Sequence, residues 1–231
     1  MFLQIDNVAM ADSLANVQPP VEAVESINLW TMAAYGGWIM IILALLLAWG
    51  VYIFIERMVV LKSATREDKS FMDRIHDYIH EGKMESAVNL CRQTDTPASR
   101  MIEKGISRIG RPMQDVQVAI ENVGNLEVSK LEKGLVIMAT IAAGAPMLGF
   151  LGTVFGMVQT FFNMAQNASG VIEMSALSEG MYQAMVTTIG GLIVGILAMF
   201  AYNFLVARID QVVRGLESRT MEFMDLLNEP A

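Results

Sequence analysis

Ala143-Gly144-Ala145-Pro146-Met147-Leu148-Gly149-Phe150-Leu151-Gly152-Thr153-Val154-Phe155-Gly156-Met157 holds four glycines, a proline and no charged residue. A soluble helix seldom tolerates so many helix-weakening residues without polar compensation. In lipid the balance differs, because small residues let helix backbones approach one another closely. The segment sits inside a longer run, Gly134–Ile172, that lacks Asp, Glu, Lys and Arg. Two more such runs exist, Ser26–Ile55 and Gly180–Ala207. Each exceeds the roughly 20 apolar residues that a helix needs to cross a bilayer. The chain of 231 residues, 54% of them hydrophobic, therefore reads as an all-α membrane protein. Nothing in it alternates as barrel strands do.

The expected spans are residues 36–57, 135–166 and 180–207. The cations set their orientation. Of the 16 Lys and Arg, 13 lie between Arg57 and Lys133, and three (Arg208, Arg214, Arg219) follow the third span. Basic residues stay on the cytoplasmic side. Residues 1–35 and the loop 167–179 are thus expected outside, and 58–134 and 208–231 inside. The net charge of −8 is segregated by side and says little about partners. No basic cluster suggests nucleic acid. The N-terminal residues lack the basic n-region and apolar core of a signal peptide, and read as an outside tail with an interfacial stretch near Asn28–Tyr35. Cys91, the single cysteine, excludes an intrachain disulfide.

The inside segment has helical spacing throughout. Phe71, Ile75, Tyr78 and Ile79 form one unit, ended by Gly82. Met84, Val88, Leu90 and Cys91 form a second. Asp95-Thr96-Pro97 is a helix start, with a capping residue before Pro at the first turn. Gly110-Arg111-Pro112 breaks the chain. From Met113 the apolar pattern runs toward the second span without a clear stop, which predicts one long helix entering the membrane. The tail after Ala207 extends the third span, interrupted by Gly215 at most. The inside part reads as too small and elongated to hold a deep core of its own.

The second and third spans carry the informative polar residues. Gly149, Thr153, Gly156 and Thr160 share one helical face, as do Ala184, Thr188, Gly191, Gly195 and Ala198. Gly152 with Gly156, and Gly191 with Gly195, form two G-x-x-x-G pairs. Gly149, Gly152, Gly156, Gly191 and Gly195 are candidate packing residues. Thr153, Thr187 and Thr188 have two open readings. They bond back to their own helix, or they line a wet path. Gln183 in a membrane helix demands a partner, another helix or water, and Pro146 frees one backbone carbonyl beside such a path, so both join the three threonines as candidate ion-path residues. No residue of the second and third spans can carry a proton near neutral pH. The leucine-rich first span suits a lipid-facing position.

Other chemistry finds no support. There is no phosphate-binding G-x-x-x-x-G-K-[ST] loop. His76 and His80 lie four apart, but no further His or Cys completes a metal set, so they read as a solvated face. Glu173 and Glu179 read as solvated loop carboxylates. No catalytic residue, cofactor or metal site is expected.

The sequence resembles the ExbB/TolQ/MotA proton-channel subunits. The resemblance rests on Leu131-Glu132-Lys133-Gly134-Leu135, Met138-Ala139-Thr140-Ile141-Ala142, the Ala145-Pro146-x-x-Gly149-x-x-Gly152-Thr153-Val154-x-Gly156 signature, Thr187-Thr188-Ile189-Gly190-Gly191-Leu192 and Ala201-Tyr202-Asn203. Three spans, with the soluble part between the first two, are similar to ExbB and TolQ; MotA has four. The resemblance implies a bacterial inner-membrane subunit that forms a homo-oligomer, a pentamer, around a dimer of single-span ExbD- or TolR-like helices. Each partner helix would carry a membrane Asp, and a TonB-like protein would receive the work. Thr153 and Thr188 match the family's pore-facing threonines. The family carries Glu where this chain has Gln183. A sodium-driven device of the same architecture and a non-conducting scaffold are the alternative readings.

Overall fold

The computed structural model describes residues 36–65, 70–166 and 174–228. The N-terminal tail and much of the expected loop 167–179 lie beyond them. Every regular element among the described residues is an α-helix: α1 Gly37–Ala64, α2 Phe71–His80, α3 Met84–Thr94, α4 Pro97–Ile106, α5 Met113–Glu132, α6 Leu135–Gln166 and α7 Met174–Asn228. Among the described residues three stretches are long and apolar enough to cross a membrane: α1, the α5–α6 stretch and α7.

The local signals act as their chemistry dictates. Thr96 caps α4: its hydroxyl accepts from the Ser99 amide while Ser99 Oγ accepts from the Thr96 amide, with Pro97 in the first turn. Such a reciprocal cap satisfies two orphan donors. Gly82 and Gly110 take the left-handed backbone that ends their helical units.

Two expectations about helix continuity need correction. The helix from Met113 does not run unbroken into the membrane. It stops at Glu132, and Gly134 turns the chain with φ 91° before α6 begins. The apolar periodicity passes through this break, which is why the pattern alone misses it. The third helix begins earlier than expected, while its extension past Ala207 is as expected. It starts at Met174 rather than near residue 180, and continues through Gly215 to Asn228 without interruption.

The end of α7 explains a third correction. The segment between the first two spans has a deep core after all, because α7 closes it. Phe223 is completely buried among Ile75, Ile102 and Ile120, and Phe71, Ala87, Cys91 and Leu216 complete the cluster. A Cβ on Gly105 would come within 2.9 Å of Ile120 Cδ1, so the glycine sets how closely α4 approaches α5. Burial of these side chains at roughly 25 cal/mol per Å2 supplies the cohesion. One rigid helix thus crosses the membrane layer and anchors the soluble core.

At the junction of the two layers, Arg57 is buried at the end of the first span. Its Nη1 donates to the Lys130 carbonyl of α5 at 3.2 Å and its Nη2 to Glu56 at 2.6 Å. Beside it, Glu127 of α5 is buried and accepts from Arg100 of α4 at 2.6 Å and from Lys130 at 2.7 Å. Burial alone would push the Glu127 carboxyl up. The Arg100 and Lys130 hydrogen bonds outweigh it and hold the group below the usual carboxylate range.

Candidate ion-path face

The site is built on the contact between α6 and α7. Along it, residues without bulk meet. Ala145, Gly149, Gly152, Gly156 and Thr160 are buried on α6, and Ala184, Thr187, Gly191 and Gly195 on α7. A Cβ on Gly149 would lie 2.9 Å from the Thr187 carbonyl and 3.0 Å from Gly191 Cα. One on Gly191 would lie 2.6 Å from the Ala145 carbonyl and 2.8 Å from Gly149 Cα. Gly152 makes room for the Thr187 side chain, Gly156 for Ala184, and Gly195 for the Pro146 ring. Any side chain here would hold the backbones apart. The close approach is the kind of van der Waals contact that holds membrane helices together.

The geometry redistributes the five polar candidates. Thr187 lies within the contact, 2% exposed. Its Oγ1 donates to the Ala184 carbonyl at 2.8 Å and approaches the Gly149 carbonyl at 3.5 Å. Gln183 turns elsewhere: its Nε2 would be 2.7 Å from a Cβ on Gly37, at the start of α1. Pro146 packs its ring on Gly195. Having no N–H, it leaves the Ala142 carbonyl without the usual helical donor. That carbonyl faces Gly195, 3.1 Å from where a Cβ would sit.

Thr153 and Thr188 both border the contact, each bonded to a carbonyl of α6. Thr153 Oγ1 donates to the Phe150 carbonyl at 2.6 Å, and Thr188 Oγ1 reaches across to the Gly149 carbonyl at 3.3 Å. Their hydroxyls are therefore tied to the carbonyls of adjacent residues on α6. Both side chains are partly open. The periodicity of about 100° per residue locates them. Gln183 and Gly190 face α1, where Gly190 meets Met40 and Leu43. Thr188 lies roughly 140–160° around α7 from those positions. On α6, Phe155 makes an edge contact with Trp38 of α1, with ring centroids 6.3 Å apart. Thr153 lies about 160° from Phe155. Hence α1 covers one side of the α6–α7 pair, and both threonines lie on the other. The neighbouring side chains, Phe150, Met157, Met185 and Leu192, are exposed and apolar. A threonine pair in such a lining offers two short hydroxyls and the carbonyls behind them. It can hydrogen-bond a carboxylate or hydrate a cation, and it cannot itself ionise.

The sequence face containing Gly149, Thr153, Gly156 and Thr160 is thus shifted in the structure. Gly152 occupies the contact and Thr153 borders it. On α7, Thr187 likewise takes the place expected for Thr188. Spacing of three or four residues suits either choice; only the position of α1 distinguishes them. Two participants escaped the sequence reading, Gly180, which faces Thr160, and Gly37, which faces Gln183. Continuing the α7 small-residue spacing back one turn from Ala184 would have found the first. The His76 and His80 rings lie tilted against each other, with centroids 4.3 Å apart. No group of three potential metal ligands occurs among the described residues.

Comparison with known proteins agrees with this architecture. The model of the MotA/TolQ/ExbB proton channel family matches residues 93–218, which hold α4 to α6 and most of α7. A putative biopolymer transport protein ExbB homolog of Methanothermobacter thermautotrophicus is 32% identical over 181 residues, 77% of this chain and 63% of its own. The Tol-Pal system protein TolQ of Haemophilus influenzae is 25% identical over 190 residues, 78% of this chain and 82% of its own. The biopolymer transport protein ExbB of Neisseria meningitidis serogroup B is 29% identical over 136 residues, 53% of this chain and 61% of its own. The chain thus spans less than two thirds of two of these three relatives. The family match extends over more than half of the chain and takes in both helices of the threonine face, so the chain belongs to the MotA/TolQ/ExbB proton channel family as an ExbB-like member.

Proposed function

We propose that this chain is the ring-forming channel subunit of an ion-driven device in a bacterial inner membrane, with its N-terminus outside and its C-terminus inside. Copies of α6 and α7 would surround a central path, most simply as a pentamer. A dimer of single-span, ExbD- or TolR-like helices would occupy it, each bringing an Asp. The observation that carries this reading is the placement of Thr153 and Thr188, both partly open, at the border of the α6–α7 contact, on the side away from the positions that meet α1. That face can solvate a charge and cannot supply one, so the titrating group must come from another chain.

The chemistry follows from the donors present. In a dry lining, a Thr hydroxyl can turn from its helix carbonyl to the ionised Asp, favouring the charged form. Proton uptake from outside would release that bond, and proton loss to the inside would restore it. Each charge crossing 100 mV supplies about 2.3 kcal/mol for movement of the inner dimer against the ring. The work would pass to a TonB-like protein spanning the space outside. Thr187, Gln183 and Pro146 act in this reading as positioning residues: they fix α7 against α6 and α1. The chain itself does no covalent chemistry.

Thr188→Val tests this. The substitution keeps the shape and removes the hydroxyl. Energised activity of cells carrying it should fall roughly tenfold or more, the scale of one lost hydrogen bond to a charge. The assembled complex should keep its mass, and Thr188→Ser should restore activity. Full activity in Thr188→Val would refute the assignment. Activity that follows external Na+ and survives a protonophore would instead select a sodium-driven device.

A further inference from the structure

A second feature lies on the opposite side of the molecule, where α1 meets α7. Past the inner ends of these spans, a groove of about 600 Å3 is lined by Met58, Leu61, Lys62, Thr65, Arg208 and Gln211. Two of its side chains are cationic, and none of its described lining residues is acidic. Arg208 is held in place on two sides. Its guanidinium carbon lies 5.4 Å from the centre of the Phe204 ring, and its Nη1 donates to Gln211 Oε1 at 3.2 Å. The depth is that of lipid headgroups. Lys62 lies five residues beyond Arg57, about 7.5 Å along the helix, and Arg208 ends the uncharged run Gly180–Ala207.

A second, separate cavity lies further along the same two helices, on the membrane side. The Phe54 and Phe204 rings, 6.2 Å apart, continue the same α1–α7 contact into the membrane. Above them a slot of about 170 Å3 opens between Leu47, Gly50, Val51, Phe54, Leu197 and Ala201, almost wholly apolar. Gly50 keeps it open: a Cβ there would touch only Ile141 and Met138, at 3.7 and 3.9 Å. The outward residues of α1 alongside, Tyr52, Ile55 and Val59, are exposed and suit contact with lipid.

We propose that the α1–α7 groove is a binding site for one anionic glycerophospholipid. The phosphodiester sits between Lys62 and Arg208, and an acyl chain lies in the slot above. Basic pockets between membrane helices at headgroup depth take anionic headgroups for this electrostatic reason. The apolar slot directly above the cations favours a lipid over free phosphate. The site is independent of the threonine face; only its assignment to the inner leaflet rests on the orientation proposed above.

Native mass spectrometry of the full-length protein, purified in mild detergent with whatever copurifies, tests the site. Delipidated protein is titrated with dioleoyl phosphatidylglycerol or dioleoyl phosphatidylcholine, with inorganic phosphate as competitor. Phosphatidylglycerol should bind roughly tenfold more tightly than phosphatidylcholine. The Lys62→Gln/Arg208→Gln double variant should lose that preference, binding phosphatidylglycerol about 30-fold more weakly, the effect of two basic charges near an anionic surface. Ala201→Leu, which fills the slot and leaves both cations, should weaken both lipids, and carries the test if the double variant does not assemble. Equal binding of the two lipids by the wild type would overturn the proposal. So would undiminished phosphatidylglycerol binding in the double variant or in Ala201→Leu. Displacement by millimolar phosphate would show a soluble-anion site instead. Efficient cross-linking of Lys62→Cys to a second copy would show that a neighbouring chain covers the groove.

Discussion

At the residue scale, neighbouring threonines have different surroundings. Thr187 is sealed in the α6–α7 contact and bonded to the Ala184 carbonyl, whereas Thr188, one position on, is only partly buried and donates across the contact to the Gly149 carbonyl. Thr187→Val should therefore act through stability. Burying a methyl against the Gly149 carbonyl should lower the melting temperature in detergent, at a cost of about 1–3 kcal/mol. Gly149→Ala should cost a similar amount by overpacking, since its new methyl would meet backbone that cannot give way. Cys91 offers a cleaner readout. It is 1% exposed, and burial, reinforced by Glu103, pushes its thiol up to about 12. A thiol so raised stays neutral and unreactive at pH 8. Maleimide should label it only after unfolding; rapid labelling of the folded protein would contradict the packing of the soluble core. Which threonine faces outward could not be read from spacing alone, because residues three and four apart serve one helical face equally well.

Among the elements, the junction between membrane and soluble layers is the most specific construction. Gly134 adopts φ 91°, and a Cβ there would also approach Ile53 at 3.4 Å. Gly134→Ala should cost about 1–2 kcal/mol for the left-handed backbone alone, seen as a lower melting temperature. An unbroken α5–α6 helix would instead tolerate alanine or gain from it. Glu127 gives this region a pH dependence. Its carboxyl is held below the usual carboxylate range, so the stability it contributes is present above that range and is lost as pH falls through its depressed value. Glu127→Gln should be less stable at neutral pH by about 2 kcal/mol, and should flatten the acid side of the stability curve. Equal acid sensitivity in both proteins would contradict the role of this cluster. Helix starts and stops made by local chemistry, at Thr96, Gly82 and Gly110, are evident in the sequence. The Gly134 break is hidden because apolar periodicity continues through it, and the deep soluble core is hidden because Phe223, which closes it, lies far away in the chain.

For the whole molecule, the three uncharged runs foretell an all-α membrane protein, and the small-residue signatures carry the resemblance that implies an ExbB-like arrangement of helices. What they leave unspecified is the placement of α1. That placement sends Gln183 toward Gly37 and leaves Thr153 and Thr188 at the other border of the α6–α7 contact. The division has a functional consequence: substitutions on the α1 side should change stability or lipid binding, and those on the threonine side should change ion flow. Proton flux into proteoliposomes holding the purified complex, measured under an imposed potential, tests this most directly. The Thr153→Val/Thr188→Val variant should lose at least about 90% of the flux, the loss of charge-stabilising hydroxyls, while the complex keeps its mass and Gln183→Leu retains most of its flux. Unchanged flux in the double valine variant, with flux abolished by Gln183→Leu, would contradict the account and place the path on the α1 side.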